Sequence, residues 1–393
     1  MPNRLNYRIL VIIAFMQGMV FYGPVATIYR RAYGLDIQGL FLVESISWIV
    51  TIVLEAPWGR FTDRFGYRKT LLLGNLAFLA SKIVFSFASG FPGFLVERLI
   101  LSVALAALSG SSEAMVYCSV GSSGSDKAFG RWHAASGAGL FGASLAAPFL
   151  YSRSLRLTAY WTIVPYAIAL ACSLFLVDVG EAGTPDRGGM AKERLPAGIR
   201  AAMRTLSRDG RLLMFLAAAA VVGEAAQAAT VFLAPLKYER AGIPRAAFGI
   251  LFAVIQGTGI VAAVSGLMAR SLGRAGAFRV FILLESIALA ALATTDNAFI
   301  SVAALIMVAA ASAMFRPLSA TLQNERVVGR ERATALSVNA MLVEIVSSVV
   351  NIGIGWAAAA GLRIGFAVLS LATLAFVALP HRVFEPVSKA PRP

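Results

Sequence analysis

Two carboxyls, Glu224 and Glu344, each sit near the middle of a long apolar run, with no Lys or Arg at the same depth in their own half of the chain. Ionisable groups in such runs are costly and mark ion or substrate pathways. A buried carboxyl without a fixed counter-charge can take up and release a proton. Glu224 and Glu344 are therefore the expected proton-coupling residues, and they would also suit a cationic ligand whose arrival displaces the proton.

Helical spacing sorts the other polar groups. At 100° per residue Arg98, Ser102, Ser109 and Glu113 fall on one face, as do Glu44, Ser47, Thr51 and Glu55. Glu344, Ser347, Ser348 and Asn351 form another stripe, and Glu224 shares a face with Gln227. Gly18, Tyr22, Val25 and Tyr29 trace one side of the first apolar run, with Gln17 beside them and Pro24 available to loosen the helix. Gln17, Tyr22, Arg98, Glu113 and Gln227 are the expected substrate contacts. Glu44 and Lys82 match in depth and are expected to pair, with Arg98 the alternative partner of Glu44 or a contact for an anionic substrate. Glu55 and Glu113 are set against basic loops.

Other chemistries have no residues to carry them. Cys118, Cys172, His133 and His381 are scattered, so neither a disulfide framework nor a Cys/His metal site is expected. No nucleophile and base fall at matched depth, and no phosphate-binding P-loop is present. The reading is of a protein that is not an enzyme, with no catalytic residues, no metal and no cofactor.

These residues need an unusual frame. Of 393 residues 58% are hydrophobic and only 14% charged, against about 45 to 50% and about 25% in soluble domains. Crossing a hydrocarbon layer of about 30 Å at 1.5 Å per residue takes about 20 residues. By that measure twelve helices are predicted, near 8–29, 36–58, 70–89, 93–118, 132–151, 157–179, 211–236, 247–269, 277–295, 298–318, 333–359 and 364–381. The fold class is an all-α polytopic membrane protein. The net charge of +15 is spread in short pieces between apolar runs, which argues against nucleic acid as a partner. Of the 35 Lys and Arg, 24 lie at the termini and the even-to-odd connections, 8 on the opposite side, and Lys82, Arg98 and Arg316 inside spans. Both termini are thus expected to be cytoplasmic.

One long hydrophilic stretch, 180–210, divides six spans (1–179) from six (211–393) and reads as a cytoplasmic linker lying on the lipid surface. The halves echo one another. Gly59-x6-Gly66 returns as Gly266-x6-Gly273 at an offset of 207, Gly34-Leu35 as Gly242-Ile243 at 208, and the Arg131 to Ser136 stretch as Arg332 to Ser337. Parallel repeats of this kind build secondary transporters with the substrate site at the repeat interface.

The loop Gly59-Arg60-Phe61-Thr62-Asp63-Arg64-Phe65-Gly66-Tyr67-Arg68-Lys69 resembles the signature between the second and third helices of the major facilitator superfamily. The resemblance covers essentially the whole chain and implies two pseudo-symmetric six-helix halves that rock about a central site. It implies a conformational latch at Gly59, Asp63, Arg64, Gly66, Arg68 and Lys69, with the glycines allowing close approach and Asp63 meeting the N-terminal end of the eleventh helix near Arg332. Ser109 to Tyr117 and the Asn324 to Thr334 region look like stretches of bacterial drug-efflux members, although Cys118 stands where such members often carry an acid. Gly137, Gly139, Gly142 and Pro148 are similar to an antiporter signature without its Gly-Pro pair. The resembling fold places the ninth helix at the periphery, which argues against a role for Glu285.

The expected function is proton-coupled export of amphipathic or cationic small molecules by alternating access, in the inner (plasma) membrane. The alternative is proton-coupled uptake of a small, anionic metabolite through Arg98. The expected partners are the substrate, protons and the lipid bilayer, with the protein acting as a monomer.

Overall fold

Apolar runs of this length can satisfy their own backbone in lipid only as helices, and every regular element among the described residues is helical. The computed structural model describes residues 4–121, 124–178, 210–326 and 332–385, without the side chains of 332–334 and 337. Helices α1 (Arg4–Ala32), α2 (Ile37–Phe65), α3 (Tyr67–Phe87), α4 (Gly90–Val120), α5 (Ser125–Tyr151) and α6 (Leu155–Leu174) come first. Then follow α7 (Gly210–Arg240), a 50-residue run Arg245–Thr294, α10 (Ala298–Arg326), α11 (Arg332–Ala360) and a shorter α12 (Leu362–Ala378). Gly273, at φ 71° and ψ 159°, leaves the helical region inside the long run. Its arms, 245–272 and 274–294, are therefore separate crossings, α8 and α9, which brings the described spans to the twelve expected.

Packing divides the chain into two units, Met1–Pro185 with Pro244–Ala253, and Asp186–Ile243 with Val254–Pro393. The linker proper, 180–209, lies outside the described residues. The first unit closes over Ile9, Leu10 and Ile13 of α1, Leu71 of α3, Met115 and Val116 of α4, and Ala169 of α6. The second closes over an aromatic cluster of Phe215, Phe278, Phe315 and Phe384, with the Phe278 and Phe315 rings 5.1 Å apart and edge-on. Large apolar side chains stay exposed along the helices, among them Phe149 at 76% and Ile260 at 84%, a belt that suits hydrocarbon and not water.

The internal repeat reaches the backbone. Gly66 (φ 86°, ψ 164°) and Gly273 (φ 71°, ψ 159°) adopt one left-handed conformation at an offset of 207. Gly34 and Gly242 also share a positive φ, and each closes a helix end in the same way. Leu35 N–H donates to Arg30 O at 2.9 Å, and Ile243 N–H to Tyr238 O at 3.0 Å, the six-to-one bond of a glycine-terminated helix.

Candidate substrate and proton site

The first helix of each unit is interrupted at a corresponding place. Helix α1 unwinds after Gly18 and resumes through a 3-10 turn, Gly23–Val25, that carries Pro24. Neighbouring helices satisfy the freed backbone, as the membrane interior requires. Phe21 N–H donates to the Thr162 hydroxyl at 3.1 Å, and the Tyr166 hydroxyl donates to Gln17 O at 2.8 Å. Helix α7 widens into a π-helical segment, Ala228–Leu233, just before Pro235. Interrupted helices at matching positions of two repeats point to a binding site. Gly110 (φ 69°) breaks α4, and Pro317, 207 residues later, lies inside α10.

Around the α1 break the first unit buries five charges. Arg98 is ion-paired with Glu44, and Arg30 lies 4.0 Å from the same carboxylate. Glu97 Oε2 is 3.7 Å from Arg98 Nε, yet neither Glu97 oxygen accepts a hydrogen bond. Lys82 does not take the place expected for it beside Glu44. It donates to the Tyr22 hydroxyl at 3.0 Å and lies 5.1 Å from the Tyr166 ring centroid and 5.6 Å from that of Phe78, so a wall of ring faces replaces the carboxylate. Arg98 wins Glu44 because Ser47 and Ser102, hydroxyls 2.8 Å apart, draw α2 and α4 together there. With three cations and two acids the cluster carries one excess positive charge.

Of the expected substrate contacts in this unit, Gln17, Tyr22 and Arg98 belong to this region. Gln17 donates to Asn75 Oδ1 at 2.8 Å, and Tyr22 stacks on Phe85 at 4.1 Å. Glu113 lies apart, exposed beyond the Gly110 break. Sequence reasoning passed over Glu97 and Arg30. Glu97 follows a glycine-rich helix start, and Arg30 sits in an Arg-Arg pair that reads as the end of the span, but both are buried, at 0% and 4% exposure.

The second unit holds a cavity of about 380 Å³ between α7, α10 and α11. Its one ionisable lining group is Arg316, which has no hydrogen bond or ion pair among the described residues. Ser312, Phe315, Ser319, Gln323 and Asn324 line the same space. The Gln323 amide donates to the Ser319 hydroxyl at 3.2 Å, whereas the buried Ser312 hydroxyl has no partner. Glu224 is buried on α7 beside the lining residue Gly223, Gln227 is half-buried where the π-helical segment begins, and Glu344 is half-buried next to the lining residue Val343.

At the far end of this unit Lys237, also missed, is fully buried. It donates to Leu292 O at 2.8 Å, to Thr295 O and to Asp296 Oδ1 at 2.8 Å. Arg363 and Arg240 complete the shell of Asp296, at 2.6 and 3.0 Å. The Lys237 hydrogen bond, followed by those of Arg363 and Arg240, holds the Asp296 carboxyl below the usual carboxylate range.

The latch residues separate into two kinds. Gly66 needs its positive φ, and a Cβ there would meet Asp178 Oδ1 at 2.9 Å. Arg68 N–H donates to the same oxygen, and its guanidinium to Leu174 O at 3.2 Å, so the loop is tied to the end of α6. Gly59, expected to allow close approach, is a helical residue whose Cβ would meet nothing within 4 Å. Asp63, Arg64 and Lys69 are exposed, with Arg64 and Lys69 over the Phe65 ring. The receiving side chain, Arg332, lies outside the described residues.

The profile of the Major Facilitator Superfamily matches residues 9–351. The chain belongs to that superfamily. Solved transporters of this kind share its fold at low identity. A mutant form of the nucleoside transporter NupG superposes with a TM-score of 0.81 at 15% identity, covering 95% of this chain and 98% of its own. A bacterial homologue of the human lysosomal transporter Spinster, inward-facing and unoccupied, gives 0.77 at 15% identity, covering 97% and 96%. A D-xylose-proton symporter gives 0.69 at 14%, covering 98% of each chain. No curated protein matches in sequence. As a superfamily member the protein is a multi-pass membrane transporter.

Proposed function

We propose that the protein is a proton-coupled symporter for a small solute that carries a negative group, working by alternating access of its two six-helix halves. One observation carries this reading. Among the described residues the cavity of the second unit presents a single ionisable side chain, the Arg316 guanidinium, which makes no hydrogen bond or ion pair with them, beside a Ser312 hydroxyl likewise without a hydrogen bond and the amides of Gln323 and Asn324. A guanidinium in that setting is a fork for a carboxylate or phosphate. The excess positive charge buried in the first unit favours the same sign of solute. Bringing one negative charge inward against a membrane potential costs about 2.3 kcal/mol per 100 mV, and a proton moving with it cancels that cost. The D-xylose-proton symporter among the structural neighbours runs by proton symport on this fold.

The test is uptake by proteoliposomes of a panel of labelled small organic anions, with and without an inward proton gradient. Gradient-driven uptake that Arg316→Gln abolishes supports the reading. Uptake undiminished in Arg316→Gln sinks it.

A second reading, proton-driven export of amphipathic or cationic molecules, rests on the burial of Glu224 beside the cavity. It requires that Glu224→Gln or Glu344→Gln impair coupling. Accumulation of a fluorescent lipophilic cation in an efflux-deficient host, lowered by the protein and restored by an uncoupler, would favour this reading over the first. The antiporter resemblance of α5 lends it little, since Gly139 serves packing and a Cβ there would run into the Phe15 carbonyl of α1. The expected site is the inner (plasma) membrane, with both termini cytoplasmic.

A further inference from the structure

The walls of the second unit's cavity differ in kind. Among the described residues its polar lining side chains, from Ser312 to Asn324, all belong to α10. Helix α7 contributes Ala219 and Gly223, and α11 contributes Leu336 and Val343, so the side chains of these two walls offer a solute only carbon. On α10 the capacity to bind is open. Ser312 is 3% exposed and its hydroxyl makes no hydrogen bond with the described residues. The Ser319 hydroxyl accepts from Gln323 and keeps its own proton to donate.

Gly223 has no local reason to be glycine. It lies in the regular helical part of α7, where glycine weakens a helix relative to alanine. No atom of a neighbouring element comes within 4 Å of where its Cβ would stand, so it does not bring two helices together. What the missing side chain leaves is room, on the apolar side of the cavity.

We propose that the cavity takes an amphipathic monoanion, its carboxylate on Arg316, its polar edge along α10 and an apolar body against α7 and α11, and that Gly223 sets how large a body fits. A solute with hydroxyls all round turns some of them towards Ala219, Leu336 and Val343, where each loses water without gaining a partner and costs about tenfold in affinity. An anion without a body forgoes the burial that the apolar walls provide. This rests on the reading of the Arg316 cavity as the solute site and narrows it from any small anion to those with an apolar side.

The test is calorimetric binding to the purified, detergent-solubilised protein at pH 7 of three monoanions, cyclohexanecarboxylate, its tetrahydroxylated counterpart quinate, and the bulkier adamantane-1-carboxylate. Cyclohexanecarboxylate is expected to bind at least about tenfold more tightly than quinate, and quinate binding as tightly or more tightly overturns the apolar wall. Gly223→Leu, shown to be folded by its thermal unfolding, should weaken adamantane-1-carboxylate about tenfold or more relative to cyclohexanecarboxylate. Gly223→Ala should move that ratio the same way by less, and it carries the test if the leucine variant does not fold. A ratio unchanged in the folded variants overturns the role of Gly223. If Arg316→Gln binds all three anions as the wild type does, or the wild type binds none, the anion site itself falls and the inference with it. Binding that depends on Arg316 but ignores hydroxyls and size strikes the inference alone.

Discussion

Tyr29 and Lys237, 208 positions apart in the sequence, play the same part in their own units. The Tyr29 hydroxyl donates to Phe85 O and Ser86 O, each at 3.3 Å, at the C-terminal end of α3. The Lys237 ammonium donates to Leu292 O at 2.8 Å and to Thr295 O at the end of α9. Phe85 and Leu292 are themselves 207 apart. In each repeat the first helix thus donates to carbonyls at the C-terminal end of the third helix, and in the second repeat a positive charge also meets the negative end of the helix dipole.

Removing Lys237 should therefore cost more than removing the Tyr29 hydroxyl. Lys237→Met leaves buried carbonyls without donors and is expected to destabilise the protein by about 3 kcal/mol. Tyr29→Phe should cost about 1 kcal/mol. Unfolding of the detergent-solubilised variants by denaturant measures both, and equal losses would refute the asymmetry.

Asp296 adds a pH dependence of known sign. Its folded-state carboxyl titrates below the ordinary Asp value, so the unfolded chain binds the proton more readily. The stabilisation is complete above about pH 5 and is lost as pH falls below about 3.9, the unfolded value, towards the lower folded one. Because the group is a quarter exposed, the effect is modest. Asp296→Asn should flatten the acid limb of a thermal-stability profile between about pH 6 and about pH 3, by the reasoning of linkage. An unchanged acid limb would show that the three cations do not hold this carboxyl in solution.

The buried pair Arg98–Glu44 should behave as a unit. Glu44→Gln strands Arg98 and Arg30 in a site where Glu44 is 4% exposed, and a loss of about 3 to 5 kcal/mol is expected. Combining it with Arg98→Gln should recover part of that loss. A double-mutant cycle with no coupling between the two positions would contradict the pairing.

The twelve crossings were legible because apolar length reports directly on hydrocarbon thickness, and the repeat was legible because Gly34, Gly66, Gly242 and Gly273 hold conformations that other residues resist. The partners of buried charges were not. Depth along a helix placed Glu44 level with Lys82, but rotation and reach gave Glu44 to Arg98 and set Lys82 against aromatic rings. Glu97, Arg30 and Lys237 escaped for a related reason. Each lies near a helix end, where sequence marks a charge as solvated, while the neighbouring helices cover it completely or nearly so. The cavity was partly legible: Arg316 was seen inside a span, but its exposure to that space depends on the packing of α7, α10 and α11.

The glycines of α5 separate packing from gating. A Cβ on Gly139 would run into the Phe15 carbonyl, and one on Gly18 into the Ser136 carbonyl, so α1 and α5 approach backbone to backbone. Gly137 and Gly142 have nothing within 4 Å of where a Cβ would stand. Gly139→Ala and Gly18→Ala must therefore push two helices apart, with an expected loss of about 1 to 3 kcal/mol. Gly137→Ala and Gly142→Ala should be neutral or stabilising by up to about 1 kcal/mol, the helix propensity gained. Thermal unfolding of the four variants sorts them. If Gly137→Ala and Gly142→Ala keep full stability but lose transport, these two positions work in the transport cycle, and the resemblance of α5 to an antiporter helix regains its force. If all four follow their packing and those two transport normally, α5 is a close-packed strut and the direction of transport has to be read from the cavity.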